Sequence, residues 1–221
     1  MKQVDNQTVV KSGRCFFSLR TKTFSLIGLG CVLLGLMFTK REFLVSSLFL
    51  SDTNPRGAYL QIAKDITEDH PEKVFNYLET EAQWACYTIR DARKRAYERI
   101  EATYPELEKK AMLSTYRSIA SAADGAEVFA LLARKRQWFV RLRKRLGQIA
   151  RVEIKGDWAT VKTAQRESYG FRKKENRRWG LTLFTQDLSA EANRAFQDLS
   201  VIEKSAEDYE HALKSLSTST P

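Results

Sequence analysis

Apolar positions change their period along this chain, and each change marks a different kind of element. Residues Thr23 to Thr39 (TFSLIGLGCVLLGLMFT) form an apolar run without a charge, between Arg20 and Lys22 on one side and Lys40 and Arg41 on the other. From Asn54 to about Gln148 apolar residues recur at three- and four-residue spacing, from Arg151 to Thr185 they alternate, and after Ser189 the helical spacing returns. This order predicts an α+β chain: a single transmembrane helix, a helical layer packed on a four-stranded antiparallel sheet, and an extra C-terminal helix.

The seventeen residues of the uncharged run span roughly 25 Å as a helix, the short end of what crosses a hydrocarbon core of about 30 Å, and flanking Lys and Arg side chains extend that reach. The apolar patch Phe43–Leu50 extends the helix or lies along the interface. A cleaved signal peptide fits poorly, because Lys40-Arg41-Glu42 follows the run and only Val45-Ser46-Ser47 offers a site. Lipid attachment at Cys31 lacks a Leu three residues earlier, and the basic flanks argue against a buried core helix. Lys2, Lys11, Arg14, Arg20 and Lys22 against Asp5 favour a cytoplasmic N-terminus. The expected organisation is a cytoplasmic tail (1–22), an anchor (23–50), a linker (51–57), a periplasmic or extracellular domain (58–214) and a disordered tail (215–221).

Within the domain, Asn54-Pro55 predicts a helix start and Pro71 the start of the next. A stretch from Glu81 to Thr103 places Trp84, Ala85, Ile89, Ala92, Ala96 and Ile100 inward and Arg90, Arg93, Lys94, Arg95 and Arg99 outward. A short helix spans Pro105–Ser118, and one continuous helix is expected from Ala126 to Gln148, with Val128, Leu132, Phe139, Leu142 and Leu146 as its stripe. Strands are expected at 151–155, 158–164, 167–173 and 178–185, joined as hairpins, with Val152, Ile154, Ala159, Val161, Tyr169, Phe171, Trp179, Leu181 and Leu183 on one face. Ser189 is expected to cap the last helix.

Charge changes the picture because it is unevenly placed. The formal net charge is +10, yet Arg134–Arg178 alone holds sixteen Lys and Arg against four acids, while the rest of 54–221 holds fourteen basic and twenty acidic residues. Such polarity suits an anionic partner. The expected contact surface is Arg134, Arg136, Arg141, Arg143, Lys144 and Arg145 with Lys173, Lys174 and Arg177. An extracytoplasmic site favours an acidic protein, anionic lipid or cell-wall polymer over nucleic acid.

The order "helix, acidic turn, Pro-Glu, helix ending Tyr-Leu-Glu" from Pro55, followed by VEIKGDWATVKTA and SYGFRKKENRRWGLTLF, resembles the nuclear transport factor two-like superfamily of cone-shaped α+β folds over residues 55–185. The resemblance implies an apolar cavity between sheet and helices, for which Tyr59, Trp84, Tyr87, Tyr169, Phe171 and Trp179 are candidates, and, as an alternative function, small-molecule binding or isomerase-like chemistry. That chemistry wants a carboxylate or His beside Tyr169, whereas Glu153 and Glu167 alternate onto the opposite face. No phosphate loop, Gly-x-Ser-x-Gly elbow or Cys-x-x-Cys pair occurs, and His70 and His211 are the only histidines. Cys86 is the only cysteine in the domain and reads as a small core residue. No catalytic, cofactor or metal residue is assigned, and the leading expectation is a non-enzymatic, membrane-anchored interaction domain.

Overall fold

The computed structural model describes residues 51–218; the expected cytoplasmic tail and anchor, and residues 219–221, lie outside the described residues. Helix α1 (Pro55–Thr67) starts as its sequence dictates: Asn54 accepts the Gly57 N–H at 2.7 Å, and Pro55 occupies a position whose N–H would be unpaired anyway. The chain turns at Asp69 (φ 62°) into α2 (Pro71–Val74) and a 3-10 turn at Phe75–Tyr77. Helix α3 (Thr80–Thr103) ends before Tyr104-Pro105, and α4 (Glu106–Ala120) follows. Asp124 caps α5 (Gly125–Lys135) by accepting the Glu127 N–H at 2.9 Å. Then come α6 (Trp138–Arg143), strands β1 (Ile149–Lys155), β2 (Trp158–Thr163), β3 (Ser168–Lys173) and β4 (Trp179–Leu181), and α7 (Thr185–Thr218).

The strands form an antiparallel meander in sequence order. Alternation does what period-two patterning requires: Ala159, Val161, Tyr169 and Phe171 face the core, while Trp158, Lys162, Ser168 and Arg172 face out. Beyond β4 the sheet edge is covered, because Glu79 donates to Leu181 O at 3.2 Å and Trp179 donates to Asp52 O at 3.0 Å. Gly180 permits this approach, since a Cβ there would lie 2.5 Å from Glu79 Cα. At the opposite edge, β1 has no strand neighbour among the described residues.

The largest helical contact pairs α3 with α7. Arg93–Asp198, Arg95–Glu203 and Arg99–Glu210 advance together along both helices, so the two run parallel. Their seam is built from small residues at three- and four-residue spacing: Ala82, Ala85, Ile89, Ala92 and Ala96 in α3, and Leu188, Ala192, Ala195, Leu199, Ile202 and Ala206 in α7. Phe75, Phe129, Trp138, Phe139 and Phe184 form an aromatic cluster beside it, with Trp138 and Phe184 centroids 4.9 Å apart.

The α+β class, the helical layer, the four antiparallel strands and the C-terminal helix stand as expected; several details do not. The expected 126–148 helix is broken at Gln137, which adopts left-handed backbone (φ 51°) and so turns both Trp138 and Phe139 into the core. The fourth strand is cut to three residues because Thr185, not Ser189, opens α7, and Leu183 is exposed. Ile154 lies on the uncovered margin of β1 and is exposed. The tail expected from 215 continues as helix to Thr218, and the expected linker 51–57 is structured. Trp84 is not inward but 66% exposed, whereas Arg93, expected outward, is largely buried against α7.

Candidate functional site

The six aromatic residues expected to line a cavity fall into two groups. Tyr59, Tyr169, Phe171 and Trp179 are buried in the core itself. Tyr59 and Tyr169 rings sit 5.2 Å apart; Tyr59 donates to Gly147 O at 2.9 Å and Tyr169 to Arg145 O at 3.1 Å. Burial pushes the Tyr169 phenol up to about 12, with Tyr59 and Glu167 adding to the shift, and no carboxylate among the described residues hydrogen-bonds it. Trp84 and Tyr87 lie elsewhere, on the surface of α3, with centroids 6.2 Å apart.

Cys86 is fully buried, and desolvation pushes its thiol up to about 12. Asp65 is also buried; its carboxylate takes only two long hydrogen bonds from Gln61 (3.3 and 3.4 Å), and desolvation raises its pKa. No cluster of three potential metal ligands occurs among the described residues.

The expected basic surface divides as well. In α5 and α6 and the turn after them, most cations meet carboxylates from distant segments. Arg134 faces Glu72 at 3.9 Å, Arg136 pairs with Glu191, Arg143 with Asp69, and Arg145 with Glu167 at 3.8 Å. Arg143 also donates to Ile66 O at 2.9 Å, closing the end of α1. Arg141 donates to Arg136 O, and Lys144 is exposed with no ion pair among the described residues.

The other half lies at the end of the sheet where the β1–β2 and β3–β4 turns meet. Cross-strand register puts Lys155 beside Trp158 and Trp158 beside Arg172, and the Arg172 guanidinium lies 5.3 Å from the Trp158 ring centroid. Arg172, Lys173 and Arg177 are exposed and have no ion-paired carboxylate among the described residues, whereas Lys155 adds to Lys162 and Arg151 in holding the Glu153 pKa down. Arg178 pairs with Asp52 at 3.4 Å. The acids nearby are Asp52, Asp157 in one turn, Glu175 in the other, and Glu79 and Glu81 across the groove at the start of α3. Lys174, expected in the contact surface, instead ties down backbone, since its ammonium donates to Asn76 O and Leu78 O at 3.2 and 3.1 Å. Its desolvation, with Arg178 nearby, lowers its pKa.

An open groove of about 470 Å³ separates this hairpin from the start of α3, with Glu79, Glu81 and Trp84 on one wall and Arg172, Lys173, Lys174 and Glu175 on the other. The two basic halves are thus far apart. Arg145 sits beside Glu167, before the start of β3, and Lys173 ends that strand, a span of about 20 Å at 3.3 Å per residue. Trp158, Lys155 and Arg172 were outside the expected surface; the sequence signal for them was the Gly156-Asp157 turn, which fixes the register that brings them together. What this end offers chemically is exposed cations, suited to binding anions, beside exposed indole rings. No family model, curated protein or solved structure matches the chain.

Proposed function

We propose that the chain is a single-pass membrane protein whose extracytoplasmic α+β domain is a non-enzymatic interaction module, with the turn end of the sheet as its contact surface for an anionic partner. The observation that carries this reading is the set of exposed cations, Arg172, Lys173 and Arg177, without ion-paired carboxylates among the described residues. Cations held in ion pairs direct their field at the protein's own acids, whereas these project theirs into solvent. The anchor rests on Thr23–Thr39 and its basic N-terminal flank, since no helix among the described residues is long and apolar enough to cross a membrane. Kinship with the cone-shaped superfamily belongs to the same proposal, supported by the order of its turn and strand motifs.

The test is retention of the detergent-solubilised full chain on a polyaspartate matrix. Replacing Lys173 and Arg177 by Gln should move elution to clearly lower salt, and Arg134→Gln with Arg145→Gln should move it less, because those two charges have carboxylates beside them. Equal shifts for the two variants, or no retention of the parent chain, would overturn the assignment of the surface.

A further inference from the structure

The point at which the chain enters the described domain lies at the same end of the sheet as the unpartnered cations. Asp52 is held there twice, by the Trp179 N–H at 3.0 Å and by the Arg178 guanidinium at 3.4 Å. The apolar patch Phe43–Leu50 ends two residues before it. Two residues of extended chain reach about 7 Å, which is inside the distance of about 8 Å over which exposed charges act at physiological ionic strength.

The composition of this end fits a membrane boundary. Trp158 is 54% exposed and Trp84 66% exposed, flanking Arg172 and Lys173 on the two sides of the hairpin. Indole rings favour the boundary between hydrocarbon and water, and Lys and Arg on long apolar stems favour the anionic layer just above it. Exposed indoles beside cations suit an acidic protein surface as well, so the feature that selects lipid is the entry of the chain at this same end, held at Asp52.

We infer that the turn end of the sheet, with Trp84 and Trp158, rests in the headgroup layer of the bilayer that holds the anchor, and that its ligand is anionic lipid. This deepens the reading under Proposed function and rests on the anchor assigned there. Bound in this way, the domain is docked at the membrane by its sheet end, and the helical half with Arg141 and Lys144 faces away from the lipid. The source of the anion is the lipid headgroup, not a soluble polyanion, because the chain is pinned within reach of the one and free of the other.

The experiment uses the full chain with Cys15 and Cys31 changed to Ser, reconstituted in phosphatidylcholine vesicles with or without phosphatidylglycerol. An environment-sensitive fluorophore is attached at Asn176→Cys in the hairpin or at Gln165→Cys in the opposite turn; buried Cys86 stays unlabelled. With phosphatidylglycerol the Asn176 label should shift to the blue, and the shift should be lost on raising salt or on replacing Arg172, Lys173 and Arg177 by Gln. The Gln165 label should remain at its value in water throughout. If the chain floats with the vesicles but the Asn176 label stays in water, the lipid contact is wrong and the anchor stands. A chain that fails to float overturns both. Retention on polyaspartate without any shift on lipid would assign the surface to a soluble acidic partner and overturn the inference.

Discussion

The stretch Arg134–Arg145 and the hairpin Arg172–Arg178 look alike as sequence, each a crowd of cations, yet the fold treats them oppositely. In the first, acids arrive from three other stretches: Glu191 and Asp69 hold Arg136 and Arg143, while Glu72 and Glu167 stand 3.9 and 3.8 Å from the more exposed Arg134 and Arg145. In the second, one arginine meets Asp52, one lysine ties down backbone carbonyls, and the remaining cations face solvent. The lesson concerns potential: charge density along a chain does not give the field outside the molecule until the partners are known. Arg136 and Arg143 serve the architecture, the former joining α5 to α7 and the latter closing α1.

The sharpest way to break the contrast is to unseat the hairpin. Gly180→Ala drives a methyl to 2.5 Å from Glu79 Cα and 2.7 Å from its nitrogen, with backbone on both sides unable to yield. We expect a loss of about 3 kcal/mol in urea unfolding, with anion binding lost alongside; a variant of unchanged stability would mean that β4 is not fixed to the start of α3. A smaller effect should separate the two halves directly. Glu191 holds Arg93, Arg136 and Arg194 while itself mostly buried, so Glu191→Ala should cost about 2 kcal/mol, whereas Arg177→Gln should change stability by less than about 0.5 kcal/mol. Comparable costs at both sites would erase the distinction between structural and displayed cations.

A third effect carries the opposite sign and concerns a carboxylate that no cation neutralises at ion-pair distance among the described residues. Burial raises the pKa of Asp65, so its charged form opposes folding at neutral pH, and that penalty is relieved as pH falls through the raised value. Asp65→Asn, which keeps the hydrogen-bonding partner Gln61 in reach, should therefore stabilise the protein at pH 7 by up to about 1 kcal/mol. The gain should shrink on acidification and vanish below the ordinary aspartate range. A gain that grows toward low pH would place Asp65 among the favourably paired acids instead.

How far the sequence could be read follows from which interactions are local. Asn54-Pro55 and the alternation in WATVKT and SYGFRK state their structure within a few residues, so the cap, the strands and their turns were legible. Gln137 was not: nothing in its type calls for left-handed backbone, and it takes that conformation because Trp138 and Phe139 both need the aromatic cluster. Trp84 was misplaced because counting apolar positions presumes a covering element, and the seam residues of α3 that α7 covers lie on another side. The division of the basic surface was out of reach for the same reason. The Arg136 partner is 55 residues away and the Arg143 partner 74, separations that no local spacing encodes.

The parallel pairing of the first long helix with the last has a consequence for how the protein comes into being. Synthesis delivers α3 early, but Arg93 waits 105 residues for Asp198. Until then an alanine-lined seam about 36 Å long, at 1.5 Å per residue over α3, has no cover. The meander between them can assemble early from neighbouring hairpins, because its contacts are close in sequence. The helical half closes only when the C-terminal segment is released, and the entropy of that closure grows only logarithmically with the loop. The final helix is therefore the latch of the domain: a chain that lacks it carries a sheet beside an open, adhesive helix.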